Sequence, residues 1–117
     1  MRGKISDKIR LIHILEAIKE IEAYTSGNTK AHFFENSMMR FASIKQLEII
    51  GEAAKHLSEE TKLLDLEIAW SEIIAMRNVF VLEYFGIDNH VLWEIIQTEI
   101  PHFKSQISGL LESPSFS

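Results

Sequence analysis

The sequence predicts an all-α protein, an antiparallel up-and-down bundle of four to five helices. Helix-breaking residues are scarce, with two prolines and five glycines among 117 residues. The β-branched residues never settle into the alternation of a half-buried strand, whereas apolar residues recur at three- and four-residue steps. An apolar composition of 46% suits one compact core, so we expect a single domain over residues 1–112 and a flexible tail at 113–117.

The first half of the chain predicts two long helices with a short segment between them. An amphipathic helix is expected over about residues 5–25, with a buried stripe of Ile5, Ile9, Ile12, Leu15, Ile18 and Ile21. The polar residues 25–29 end it, and the short segment 30–35 follows. Asn36 or Ser37 can cap the second long helix, whose buried side is marked by Met39, Ala42, Leu47, Ile50, Ala54 and Leu57.

Gly51 lies inside that second long helix. A glycine there costs roughly 1 kcal/mol relative to alanine. It therefore either permits a close contact with another helix or subunit, or is a tolerated small residue.

The second half predicts three shorter helices. After a polar connector at 58–66, Ser71 is expected as the N-cap of the third helix. Gly86 can end that helix, Asp88 can cap the fourth, and Pro101 suits the first turn of the fifth. The residues expected to face inward are Val91, Leu92, Ile95, Ile96, Phe103, Ile107, Leu110 and Leu111.

Composition excludes several classes of protein. Without cysteine the chain forms neither disulfides nor thiolate metal sites, and a reducing cytoplasm is the simplest setting. We expect no signal peptide and no membrane span, because no apolar run is long enough. A net charge of −5 argues against coating nucleic acid by bulk electrostatics, but it permits a local basic cleft.

The five histidines form no metal-binding motif, since none has HxH or HExxH spacing. Glu52 and His56 share a helix face at i, i+4, as do Glu48 and Glu52, but two ligands do not make a metal site. We therefore expect these side chains to pair at the surface, with no metal and no cofactor. The chain also lacks a phosphate-binding glycine loop and a serine or cysteine nucleophile motif.

The candidate site is centred on Arg77, one arginine within an apolar helical run. Such a guanidinium needs either a charged partner or a cleft. A structural salt bridge to an acid on another helix, such as Glu48 or Glu52, is one alternative. The apolar neighbours are Ile73, Ile74, Met76, Val79, Phe80 and Val81.

Helical geometry separates the polar residues of this run. Arg77 and Tyr84 lie on nearly the same face, and Asn78 and Leu82 share another. Arg77 and Leu82 are about 140° apart, at about 100° per residue. They could meet on one small substrate only if the helix distorts, or if a second protomer brings up the same segment.

The run from Leu47 to Pro101 resembles the HepT-like branch of the HEPN superfamily. The matching stretches are 47–55, 69–73, 76–78, 83–88 and 91–93, and the first and last helices also fit. The resemblance implies a small all-α homodimer that acts as the ribonuclease toxin of a toxin-antitoxin pair. It also implies RNA cleavage without a metal, and neutralisation by a minimal nucleotidyltransferase (MNT) antitoxin.

The hallmark of that family is Arg-x4-His-x-Tyr, with two copies brought together in a cleft at the dimer interface. On this motif Arg77 is the arginine, whose fixed charged fork suits a scissile phosphate. Asn78 is its polar neighbour. Tyr84 matches the tyrosine that the antitoxin modifies with AMP in some pairs. The negative charge of the added AMP would repel RNA phosphate.

Leu82 stands where the family has its catalytic histidine. Imidazole transfers protons near neutral pH and contributes typically about 10²–10⁴-fold, which leucine cannot do. His90 lies in the next helix and is not assigned this role. The chain is thus an inactivated toxin, a degenerate member retained for binding, or a weak enzyme using Arg77 and Asn78. We favour the first, because the rest of the motif is intact and a single base change converts a histidine codon to leucine.

Two other functions stay open. The chain could be a non-enzymatic module that presents a nucleotide or tethered substrate to a nucleotidyltransferase, with Arg77 and Tyr84 as the nucleotide-binding or acceptor surface. It could also be a structural dimerisation bundle in which Arg77 is only salt-bridged. The partners expected from the resemblance are a second copy, an MNT antitoxin and RNA.

Overall fold

The computed structural model describes residues 2–82 and 86–116, which fold as an all-α bundle, as predicted. None of the helices in these two ranges is long and apolar enough to cross a membrane. The helices are α1 (Arg2–Thr25), α2 (Lys30–Glu35), α3 (Ser37–Lys55), α4 (Glu59–Lys62), α5 (Trp70–Leu82), α6 (Asn89–Glu94) and α7 (Ile100–Glu112). A π-helical turn (Ile95–Glu99) joins α6 to α7, and a 3-10 turn (Pro114–Phe116) follows α7.

The helix α1 packs against both α3 and α7, and α3 packs against α5. The expected stripe of α1 is partly wrong, because Ile5 and Ile9 are exposed. Since α1 contacts two neighbours, it carries apolar residues on more than one side, and the periodicity alone does not say which series is buried. The fully buried apolar residues of α1 are Leu11, Ile14, Ile18 and Ile21.

Side-chain caps begin four of the helices. Asn36 accepts a hydrogen bond from the Met39 amide at 2.9 Å, and Asp88 accepts one from the His90 amide at 2.8 Å. Asp88 was predicted as a cap, and Asn36 is the one of the two predicted alternatives, Asn36 and Ser37, that caps α3. Ser71 does not cap α5, because the helix already begins at Trp70. Thr29 and Ser58 are the other two caps.

The predicted connector at 58–66 contains the short helix α4, which a buried acid ties to α1. Asp7 is 2% exposed. It accepts hydrogen bonds from the Ser58 amide at 3.2 Å, the Ser58 hydroxyl at 2.5 Å and the Thr61 hydroxyl at 2.6 Å. Burial raises the pKa of Asp7, but these hydrogen bonds outweigh burial and hold that pKa below its ordinary value.

The predicted fourth and fifth helices are continuous through the π-helical turn. Pro101 lies in the first turn of α7, as expected, but no loop precedes it. Because proline has no N–H and its ring crowds the carbonyl four residues earlier, an ordinary α-helix would be disrupted here. The π-helical turn lets the helix continue instead, with a wider hydrogen bond from the Ile100 amide to the carbonyl of Ile95, five residues earlier. Val91, expected to face inward, is exposed on α6.

The expected tail contributes to the core. Phe116, in the 3-10 turn, is buried with the core residues of α1, α3 and α7, and the turn contacts α1. Sequence reasoning missed this residue. Since a lone phenylalanine after a Ser-Pro-Ser segment has no periodic partner, no local pattern marks it as buried.

Candidate functional site

The helix α5 carries the described part of the candidate site, and it is apolar on nearly every side. Its contacts within the described residues are chiefly with α3. Only Trp70 and Phe80 of α5 are buried. Val79, Val81 and Leu82 are exposed. The helix therefore exposes to solvent much of the apolar surface that a helix of this composition normally buries.

Gly51 fixes the crossing of α3 and α5 at Arg77. A Cβ added at position 51 would lie 2.2 Å from the Arg77 Cβ and 3.3 Å from the Arg77 Cα. Any other residue would push these helices apart, because the obstacle is the root of the side chain and the backbone. Of the two alternatives for Gly51, the close helix contact is the one observed.

Four side chains form a connected network at this crossing. The Arg77 Nε lies 3.2 Å from the Glu52 Oε2, and the Arg77 Nη1 donates to the Asn78 Oδ1 at 3.0 Å. The Glu52 Oε1 lies 3.0 Å from the His56 Nε2. The Arg77–Glu52 contact is an ion pair rather than an aligned hydrogen bond, since Oε2 has no hydrogen-bond partner among the described residues. We call Glu52, His56, Arg77 and Asn78 the arginine network.

The network leaves part of the guanidinium open. The Arg77 side chain is 31% exposed, and its Nη2 makes no hydrogen bond within residues 2–82 and 86–116. Of the two acids considered as partners, Glu52 is the one that pairs with Arg77, whereas Glu48 pairs with Lys45 at 3.8 Å. Arg77 is therefore both salt-bridged and accessible to an anion.

Glu52 is held in its charged form. The hydrogen bond from His56 lowers the pKa of Glu52 most. Partial burial opposes it, and the charges of Arg77 and Lys55 lower the pKa further. At neutral pH Glu52 is thus a carboxylate that forms a hydrogen bond with His56 and an ion pair with Arg77.

The other predicted site residues are not all brought together. Asn78 contacts Arg77 instead of reaching the residue one turn later. Leu82 is 79% exposed at the end of α5. Tyr84 lies outside the described residues, so its place near Arg77 stays a prediction. His90 packs edge-on against Phe34, with ring centroids 4.6 Å apart.

Sequence reasoning named Glu52 as one of two possible partners for Arg77 and separately paired Glu52 with His56, but it did not join the three side chains into one network. A signal was present in Gly51, because a glycine beside an acid in a helix can mark a close crossing. In the described part of the chain, no group of three or more histidines, aspartates or glutamates is placed to hold a metal ion.

Comparisons with known proteins agree on one family. The model of the family described as "Ribonuclease HepT-like" matches residues 14–110, which include the whole arginine network. A "Gamma-glutamylcyclotransferase and putative RNase" of Methanocaldococcus jannaschii is 40% identical over 105 residues, 90% of this chain but only 47% of that protein. A "Probable ribonuclease HepT" of Thermococcus cleftensis is 39% identical over 107 residues, 92% of this chain and 97% of that protein. No solved structure matches the chain.

Proposed function

Because this chain belongs to the HepT-like ribonuclease family, we propose that it is an endoribonuclease toxin of reduced activity. It would cleave RNA without a metal, in the cytoplasm, and would be neutralised by an MNT antitoxin. The observation that carries the proposal is the accessible Arg77, set in a largely apolar helix and fixed by Gly51 and Glu52.

The charge and the free N–H donors of Arg77 suit binding of a scissile phosphate. A guanidinium has five N–H donors in a rigid fork and is always charged. Glu52 and Asn78 engage Nε and Nη1, which leaves Nη2 for an anion. Donors that are already oriented stabilise the charge that develops on the phosphate in the transition state, without reorganisation at that moment.

The exposed apolar surface of α5 supports a homodimer. Val79, Val81 and Leu82 lie in the same helical turns as Arg77 and have no covering element among the described residues. A second copy packing on this surface would bury it and bring two Arg77 side chains near one cleft. It would also relieve the separation of Arg77 and Leu82 around the helix, since each cleft could take residues from both copies.

Leu82 accounts for the reduced activity. Cleavage needs a group to take the proton of the 2′-hydroxyl, and leucine has none to offer. We expect Leu82→His to raise the cleavage rate of single-stranded RNA by about 10²–10⁴-fold and to impair growth when expressed alone. Co-expression of an MNT antitoxin should restore growth. Leu82→Asn, which is polar but does not titrate, is the matched control and should leave the rate near that of the parent chain.

A second candidate is favoured by the apolar residue at position 82. A chain without a titratable group there could instead present Arg77 and Tyr84 to a nucleotidyltransferase as a binding and acceptor surface. Mass spectrometry after co-expression separates the two functions. AMP on Tyr84 that abolishes cleavage by Leu82→His supports the toxin, whereas AMP on Tyr84 with no cleavage by Leu82→His supports the binding module and contradicts the toxin.

A further inference from the structure

The end of α3 carries an imidazole that the family motif does not use. His56 is linked to Arg77 through a single carboxylate, that of Glu52. We propose that α3 completes the site within one chain: Glu52 positions the Arg77 guanidinium, and His56 is the proton-transfer residue that α5 lacks at position 82. This inference rests on the proposed ribonuclease function.

The geometry gives Glu52 a defined task. Its Oε2 faces the Nε of Arg77 at 3.2 Å, and its Oε1 faces the Nε2 of His56 at 3.0 Å. One carboxylate therefore fixes both side chains at once. Because Glu52 and His56 are one turn apart on α3, and Gly51 sets the distance between α3 and α5, the spacing of the three side chains is built into the helix crossing.

The contact with Glu52 also sets the tautomer of His56. A carboxylate can only accept, so the Nε2 of a neutral imidazole beside it carries the hydrogen, and Nδ1 keeps its lone pair. Nδ1 has no hydrogen-bond partner among the residues that the structure describes. His56 is exposed, with 53% of its side chain accessible, so RNA can reach this lone pair.

The step assigned to His56 is a transesterification. The Nδ1 of His56 takes the proton of the 2′-hydroxyl while the 2′ oxygen attacks the phosphorus that Arg77 holds. The bond from phosphorus to the 5′ oxygen breaks, which gives a 2′,3′-cyclic phosphate on one fragment. Water protonates the departing 5′ oxygen, and the imidazolium then releases its proton to solvent. No oxidant, reductant or metal enters this balance.

Charged groups on both helices surround the network. Lys55 on α3 and Arg77 on α5 act on the Glu52 carboxylate that holds His56.

The test measures cleavage of a fluorescent single-stranded RNA by the full chain. The variants are His56→Ala, His56→Gln and Glu52→Gln, and the control is His13→Ala, which removes an exposed histidine from α1. We expect a slow rate for the parent chain and a fall of about 10²-fold or more in both His56 variants. Glu52→Gln should lower kcat more than it raises KM, and His13→Ala should match the parent. Thermal unfolding of each variant shows that the fold is retained.

The outcomes separate this inference from the function on which it rests. A parent chain that cleaves as fast as His56→Ala overturns the role of His56. If the parent is inert while Leu82→His cleaves, the ribonuclease function stands and α3 does not complete the site. If neither chain cleaves, both proposals fall. Dependence of the parent on His56, with a cyclic phosphate as product, supports the inference.

Discussion

At the scale of single residues, Gly51 sets how closely α3 and α5 approach each other. It allows Arg77 to sit against α3, and through that contact it sets the position of Glu52. The sequence named both Glu48 and Glu52 as partners for Arg77, and spacing within a helix could not choose between them. The choice depends on how α3 and α5 are aligned against each other, a tertiary property to which the close approach at Gly51 contributes.

Gly51→Ala is therefore expected to destabilise the protein, although alanine is the better helix former. Overpacking typically costs about 1–3 kcal/mol, against a gain of about 1 kcal/mol from helix propensity. Urea unfolding should show a lower free energy of unfolding for Gly51→Ala. RNA binding should weaken as Arg77 is displaced.

Gly109→Ala is the matched control for that change. Gly109 lies in α7, and a Cβ there would meet nothing within 4 Å. Only the gain in helix propensity applies, so this variant should be more stable than the parent by up to about 1 kcal/mol. If Gly51→Ala were stabilised as much as Gly109→Ala, the close crossing of α3 and α5 would be wrong.

At the scale of helices, features that depend on neighbouring residues could be predicted and features that depend on distant ones could not. The Asn36 and Asp88 caps were predictable, because each cap acts on residues two or three positions away. The contact of Asp7 with Ser58 spans 51 residues, and no local pattern contains it. The π-helical turn could not be predicted either, because a proline is compatible both with the start of a new helix and with a distortion inside a continuous one.

The hydrogen bonds that Asp7 of α1 accepts from Ser58 and Thr61 predict a pH dependence of stability. The folded pKa of Asp7 is lower than its ordinary value, so its contribution is fully present above the unfolded pKa of about 3.9 and is lost as pH falls through the folded pKa. Asp7→Asn should therefore reduce the free energy of unfolding at pH 7 by about 1.5–3 kcal/mol, as expected for hydrogen bonds to a charged group. The difference from the parent should shrink below about pH 4.

Glu20→Gln is the control for Asp7→Asn, because Glu20 is an exposed acid on the same helix. Denaturant unfolding measured from pH 7 down to pH 3 should show little difference between this variant and the parent. A constant difference between Asp7→Asn and the parent across that range would contradict a charged Asp7 in the folded protein.

At the scale of the whole molecule, the described residues leave one apolar helix half covered. A helix that is apolar on nearly all sides is normally buried, yet α5 packs chiefly on α3 and exposes Val79, Val81 and Leu82. The proposed dimer covers this surface with a second copy. Since a two-fold interface uses the same patch on both copies, a single substitution there acts twice.

Val79→Asp is expected to dissociate that dimer. Burying a carboxylate without a partner is unfavourable by several kcal/mol, and the interface would hold two of them, so the dimer should weaken by at least about 10²-fold. Sedimentation equilibrium should report a dimer for the parent and a monomer for Val79→Asp at micromolar concentration. Cleavage by Leu82→His should fall when Val79→Asp is added, because the composite cleft needs both copies.

Val91→Asp separates this effect from a general effect of added charge. Val91 is a similarly exposed valine on α6, outside the proposed α5 surface, so the same change there should leave the dimer and the cleavage rate intact. A monomeric parent, or a Val79→Asp variant that stays dimeric, would show that α5 is not the dimer surface. Arg77 and the residue at position 82 would then have to act within one chain, which requires the helix to distort.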